Sequence, residues 1–308
     1  MNERSNVKAE TEARRHSSAV SRENRYSQVI NRYLGAVNYP DPYAVRPLPS
    51  PIHQLPPPLA GHGFVLAGVD DSPISYVAAD HAAIEAELHG WDLRLVTVQH
   101  SAGNDNGAAL LQRLTERMHA SSATVAVNST LAVAANPAQV LLAEADGAAL
   151  TVIGHRHGAT TTALGRSVAG RVARHHHGPV LVVRMPDWPA GAEFGRRPLV
   201  VGVDGSAPAQ QSVEFALAEA RVRGCSLNLL HVAGDRMDLA RRLETRDGVT
   251  VHHRIISGDL TAALIEASGR AAAIVVGRYR HGAWSGSLLH PAAAQLTQHA
   301  LCPVFLVG

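Results

Sequence analysis

The chain has 308 residues, 46% of them hydrophobic and only 4% aromatic, with a formal net charge of +2. That length holds two ordinary domains plus a tail, with cores built from Ala, Val, Leu and Ile. A balance this near neutral excludes a polyanion binder that works through global charge. Two cysteines, Cys225 and Cys302, exclude a disulfide framework or a cysteine zinc site.

Residues 1–59 run from a charged, Ser-rich stretch to a Pro-rich one ending in Pro56-Pro57-Pro58. Such a segment buries too little to offset its ordering entropy, so a disordered tail is expected. Within it, Tyr26 to Leu34 could form a short helix with Val29, Tyr33 and Leu34 on one face, but disorder is the expectation here too. No apolar run is long enough to span a bilayer and no signal-peptide core is present, so a cytoplasmic location is the default expectation.

From Phe64 the character changes. Phe64-Val65-Leu66-Ala67-Gly68-Val69-Asp70 is a short apolar run closed by Asp, which suits a buried parallel strand. An Ala-rich helix is expected over Ser75–Leu88, then a strand over Leu93–Val98 and a helix over Ala108–His119. A strand over Thr124–Val127 follows, with a helix opening at Pro137. Strand Leu150–Ile153 ends at Gly154, and helix Val168–His176 leads to strand Pro179–Val183. Strands alternating with helices imply parallel sheet and crossover helices.

The whole pattern occurs twice. Leu199-Val200-Val201-Gly202-Val203-Asp204-Gly205-Ser206 repeats the segment from Leu66 to Ser72, with Gly68 and Gly202 offset by 134. Leu229-Leu230-His231-Val232 repeats the strand end at His100. Ile274-Val275-Val276-Gly277 repeats Thr151-Val152-Ile153-Gly154, and Pro303 to Val307 repeats Pro179 to Val183. Four landmarks kept in order mean duplication. The expected organisation is a tail over 1–59, a first domain over 60–186, a linker over 187–197 and a second domain over 198–308.

Ligands of doubly wound sheets sit beyond the carboxyl ends of strands, where the strand order reverses. If strands one and four are neighbours, that crevice would be lined in each repeat by the Asp after strand one (Asp70, Asp204) and the Gly after strand four (Gly154, Gly277). A carboxylate there can accept from a ribose hydroxyl or a base amine. A glycine lets backbone amides approach phosphate, and the next helix N-terminus adds a positive dipole.

Gly-Val-Asp-(Gly/Asp)-Ser after strand one, a His ending strand two, Pro137-Ala138 and Cys302-Pro303-Val304 together resemble the universal stress protein family. The resemblance covers about residues 62 to 308, in two copies. It implies two tandem doubly wound five-stranded parallel sheets of order 3-2-1-4-5, each a flavodoxin-like, adenine-nucleotide α-hydrolase-like three-layer sandwich. It also implies pairing through strand five, so that the short apolar segments Pro179–Val183 and Pro303–Val307 are expected to meet across a pseudo-two-fold interface. Nucleotide-binding members of that family carry a phosphate loop G-x-x-G-x9-G-(S/T), and here the loop is altered in both copies. Repeat two keeps Gly277, but Arg280 replaces the second glycine and His290-Pro291 the final pair; Pro291 has no N–H to offer a phosphate. Repeat one is one residue shorter, keeps Gly154 and Ser167, and has Arg166 in place of the third glycine.

The candidate ligand-side residues are therefore Asp70, Gly154, Gly158, Arg166, Ser167 and Val168 in repeat one, and Asp204 and Gly277 in repeat two. Ser167 can equally be a plain helix cap and Arg166 a solvated side chain. The resemblance implies a non-enzymatic stress-response module with at most weak binding of ATP or AMP in domain 1, and no metal. Slow ATP hydrolysis, using Asp70-Asp71 for Mg²⁺, and a ligand-free interaction scaffold are the alternatives. Arg166, Arg171 and Arg174 beside His175-His176-His177 form a basic strip, but no aromatic platform accompanies it, so nucleic acid is not expected. The three histidines point about 100° apart on a helix, which suits a solvated terminus better than a metal site. A homodimer of the whole chain remains compatible with this reading.

Overall fold

The computed structural model describes residues 24–37, 63–101, 106–122, 124–155, 167–184, 194–232, 242–278 and 291–308. Its first element is a helix, α1 (Arg25–Val37). Repeat one then runs β1 (Phe64–Gly68), α2 (Pro73–His89), β2 (Asp92–Gln99), α3 (Asn106–Ser121), β3 (Val127–Val133), α4 (Pro137–Glu144), β4 (Leu150–His155), α5 (Val168–His175) and β5 (Val180–Arg184). After a short 3-10 turn at Phe194–Arg196, repeat two runs β6 (Leu199–Val203), α6 (Ala207–Arg223), β7 (Leu227–Val232), β8 (Arg242–Arg246), β9 (Val249–Ile256), α7 (Leu260–Ser268), β10 (Ala273–Gly277), α8 (Pro291–His299) and β11 (Val304–Val307).

The eleven strands among the described residues form one sheet, ordered β3-β2-β1-β4-β5-β11-β10-β6-β7-β9-β8. Repeat one is parallel throughout in the order 3-2-1-4-5. Repeat two has the same order in β9-β7-β6-β10-β11, again parallel. The halves join where β5 and β11 run antiparallel, pairing Val182 with Val304, Leu181 with Phe305 and Val180 with Leu306. An antiparallel contact between equivalent strands is what a two-fold axis between the repeats produces.

Side chains from successive strand residues enter opposite layers, so apolar runs without alternation become strands covered on both faces. Val65, Ala67 and Val275 join a core under α1, α2, α3 and α6. Leu66, Ile274 and Val276 join a second core under α4, α5, α7 and α8. The helices α2 and α6 have matching ends: Ser72 and Ser206 at the N-caps, proline within the first two positions, and Gly90 and Gly224 closing them at φ 69° and 68°. That left-handed backbone favours glycine.

The structure corrects three expectations. Residues 25–37, expected to be disordered with the rest of the tail, form α1, in which Tyr26, Val29, Ile30 and Tyr33 are buried. These positions share one helical face, which packs on α2, α3, α6 and the Phe194–Arg196 turn. Asn24 caps the helix by accepting from Ser27 N at 2.7 Å and donates to Gly195 O at 2.7 Å and Gly224 O at 3.3 Å. The third strand lies at Val127–Val133 rather than Thr124–Val127, because an edge strand with its half-exposed face needs little apolar content. The second half-sheet is not purely five parallel strands: β8 adds an antiparallel edge, turned onto β9 at Asp247-Gly248. Both turn residues have positive φ, 51° and 81°, as a two-residue hairpin turn demands.

Candidate functional site

In repeat one the carboxyl ends of β1 and β4 are neighbours, since Gly68 is in register with Ile153. Asp70 follows β1 and is exposed. Its Oδ1 accepts from Ser72 N at 3.0 Å, from Ser75 Oγ at 2.8 Å and from Ser72 Oγ. Asp70 N in turn donates to Ser75 Oγ at 2.9 Å. Two buried hydroxyls thus fix an exposed carboxylate at the strand end. Ser72 spends its hydroxyl this way and makes no side-chain cap to α2.

The matching turn in repeat two differs. Asp204 Oδ1 accepts from Ser206 N at 3.0 Å, but Ser206 Oγ caps α6 by accepting from Ala209 N at 3.3 Å. Ala209 stands where repeat one has Ser75. The second hydroxyl that holds Asp70 therefore has no equivalent beside Asp204.

Gly154 is the penultimate residue of β4 and Gly277 the last of β10, so both lie within the strands rather than in a loop beyond them. A Cβ on Gly154 would lie 2.8 Å from Ile74 Cγ1 and 3.2 Å from Ile74 O; one on Gly277 would lie 3.0 Å from Pro208 Cβ. Ile74 and Pro208 are equivalent residues in the first turns of α2 and α6. Close packing of strand four under that turn accounts for both glycines. Gly68 and Gly202 are likewise hemmed in, by Leu141 and Leu264 at 2.9 Å each.

Ser167 is the N-cap of α5, its Oγ accepting from Gly170 N at 3.0 Å, and Val168 beside it is exposed. Gly158 and Arg166 lie outside the described residues, as do His157, Arg280, Trp284 and His290. Pro291 opens α8, a position where a missing N–H costs nothing. Asp71 does not join Asp70: it pairs with Arg113 Nη2 at 3.2 Å.

The histidine run at the end of α5 is not uniformly solvated. His176 is buried, with Nε2 3.2 Å from Thr151 Oγ1. Burial, and then the Arg278 guanidinium, push its pKa down to about 4. In repeat two, His231 Nε2 lies 3.0 Å from His253 Nδ1, and His253 Nε2 lies 3.2 Å from Glu244 Oε1.

Among the described residues, Glu85, His89 and Glu219 offer ligand atoms within 4.8 Å of one another, between α2 and α6. Arg223 Nη2 stands 2.6 Å from Glu85 Oε1 and 3.4 Å from Glu219 Oε2. A guanidinium already fills the place a metal cation would take, so these residues form an ion-pair network. Neither they nor Ser75 belong to a motif legible in the sequence. The signal that does mark them is the alignment of the two repeats, which sets Glu85 against Glu219 and His89 against Arg223.

Among the described residues, no helix is long and apolar enough to cross a membrane. The profile of the universal stress protein family matches residues 64–184 and 195–248. A universal stress protein of Mycobacterium tuberculosis, Rv1996, is 27% identical over 299 residues, covering 79% of this chain and 94% of its own. One from Mycolicibacterium smegmatis is 29% identical over 284 residues, covering 79% and 96%. A crystal structure of a universal stress protein from Archaeoglobus fulgidus shares the fold at a TM-score of 0.62 and 18% identity, covering 80% of this chain and 96% of that one. With the profile present in both repeats and spanning more than half of its length, the chain belongs to the universal stress protein family.

Proposed function

We propose that the chain is a non-enzymatic stress-response module whose paired domains act as one unit. In this reading domain 1 alone retains a weak site for an adenine nucleotide such as ATP or AMP. The carrying observation is the inequality of the two strand-one ends. Asp70 is held by Ser72 and Ser75, whereas Ala209 stands in place of Ser75 in repeat two and has no hydroxyl to offer Asp204. A carboxylate fixed in place loses less entropy on accepting a ribose hydroxyl or base amine. Ser167 and Val168, at the N-terminus of α5, would face the phosphates, with Gly158 and Arg166 as further proposed contacts, while Gly154 stays within β4 beneath the first turn of α2. Asp204 and Gly277 are the vestige of the same site in domain 2.

The non-enzymatic part of the reading is supported by Asp71. It pairs with Arg113 at 3.2 Å on the surface instead of standing with Asp70 as the paired carboxylates that phosphoryl chemistry with Mg²⁺ would use. The antiparallel β5–β11 contact supports a unit in which two repeats stand where two subunits would. Isothermal titration with ATP, AMP and cyclic AMP, with and without Mg²⁺, tests the reading. Weak heat from one site per chain, without ADP release on incubation, is the expected result. Turnover of ATP, or two equal sites, would overturn it.

A further inference from the structure

The equivalence of the repeats exposes a crossed pair of ion bridges at their interface. Glu85 and His89 are one turn apart on α2; their equivalents on α6 are Glu219 and Arg223. Each basic residue reaches across to the other helix. His89 Nε2 lies 3.1 Å from Glu219 Oε1, and Arg223 Nη2 lies 2.6 Å from Glu85 Oε1. Glu85, Glu219 and Arg223 are buried and His89 is nearly so. A symmetric dimer would make two identical bridges here; this chain makes one with arginine and one with histidine. Arginine keeps its charge at every accessible pH, and histidine does not.

We propose that the His89–Glu219 bridge is a pH-sensitive clamp between the two domains, closed when the imidazole is protonated and relaxed when it is not, while the Arg223–Glu85 bridge holds throughout. With His89 charged, two cations balance two carboxylates; with it neutral, the buried group keeps an uncompensated negative charge, which is costly in a dry interface.

The surroundings fit this assignment. Burial works against a charge on His89, but Glu219 and then Glu85 outweigh it and hold its pKa above the usual imidazole value. The ring stacks on Trp91 at 4.1 Å. On α6, burial likewise works against the Glu219 carboxylate, and His89 and Arg223 outweigh it, so its pKa lies below normal. Arg223 is kept charged by Glu85 against its own burial and lies under the Tyr26 ring of α1 at 4.4 Å. Burial pushes the hydroxyl of Tyr26 and the thiol of Cys225 upward, so neither ionises near neutrality. His81, one turn before Glu85, is pushed down to about 3 by burial and stays neutral. Burial raises the Glu85 carboxyl, which weakens the interface in the same direction as pH rises but starts from a lower pH.

Because the folded pKa of His89 is raised, its contribution is complete below about pH 6.5 and is lost as pH climbs through the folded value. The test compares the full-length protein with His89→Gln and His89→Arg between pH 6 and 9. It reads the melting temperature and the hydrogen exchange of β5 and β11 amides, corrected for intrinsic rates. Relative to His89→Arg, the parent should lose on the order of 3 °C for each tenfold by which folding tightens the proton on His89, with faster exchange at β5 and β11. His89→Gln should lack this loss and melt lower at pH 6. Parallel curves for all three proteins would overturn the clamp. Should a variant fail to fold, the His89 resonance of the parent decides: titration at or below pH 6.5 overturns it, and titration above supports it.

Discussion

The backbone of Ser27 occupies the space that a side chain on Gly195 would need: a Cβ there would fall 2.7 Å from Ser27 N and closer still to its Cα. The interdomain turn and the N-terminal helix are thereby locked backbone to backbone, and Asn24 bonds the same glycine carbonyl. Gly195→Ala should unseat α1 and destabilise the protein by about 1–3 kcal/mol, as overpacking does. Gly269→Ala, where the nearest atom to a new Cβ is 3.6 Å away, serves as the control. Thermal melts with limited proteolysis ahead of residue 38 check this; equal behaviour of the two variants would contradict it.

The β5–β11 seam is apolar and buried on both strands, with Val182 opposite Val304 and Leu306 opposite Val180. Placing a carboxylate in it, by Val182→Asp or Leu306→Asp, should cost several kcal/mol, because the charge has no partner. The expected outcome is a lower melting temperature with a larger hydrodynamic radius by size-exclusion chromatography. An unchanged radius and melting curve would show that the seam does not hold the domains together.

Acid should destabilise the protein through its buried neutral histidines. His176 has a folded pKa depressed to about 4 by burial and Arg278. Its contribution is therefore intact above about pH 6.5 and is lost as pH falls toward 4. His176→Gln should flatten this part of the profile, seen as a smaller drop in urea midpoint between pH 7 and pH 4.5. An unaltered drop would place the acid sensitivity elsewhere.

Much of the fold is legible in the sequence because the signals are local. Short apolar runs closed by Asp or Gly mark the central strands, and their recurrence in the same order, Gly68 with Gly202 at an offset of 134 and Gly154 with Gly277 at 123, marks the duplication. The helix α1 is hidden because its four buried residues gain their partners only after both domains have built the groove around it. The hairpin strand β8, with sequence Arg242-Leu243-Glu244-Thr245-Arg246, has Leu243 as its one large apolar residue and so no apolar run, although Asp247-Gly248 carries the turn signal. At the site, Asp70 and Ser167 can be named from the motif. What the sequence conceals is that Gly154 and Gly277 are required by Ile74 and Pro208, and that Ser75 completes the Asp70 turn.

The inequality of the two sites is tested most directly by titrating ATP and AMP into the full-length protein, Asp70→Ala and Asp204→Ala side by side, with circular dichroism confirming that each is folded. The expected result is weak binding in the parent, its loss in Asp70→Ala by tenfold or more (about 1.4 kcal/mol), and no change in Asp204→Ala. Equal losses in both variants, or undiminished binding in Asp70→Ala, would contradict it.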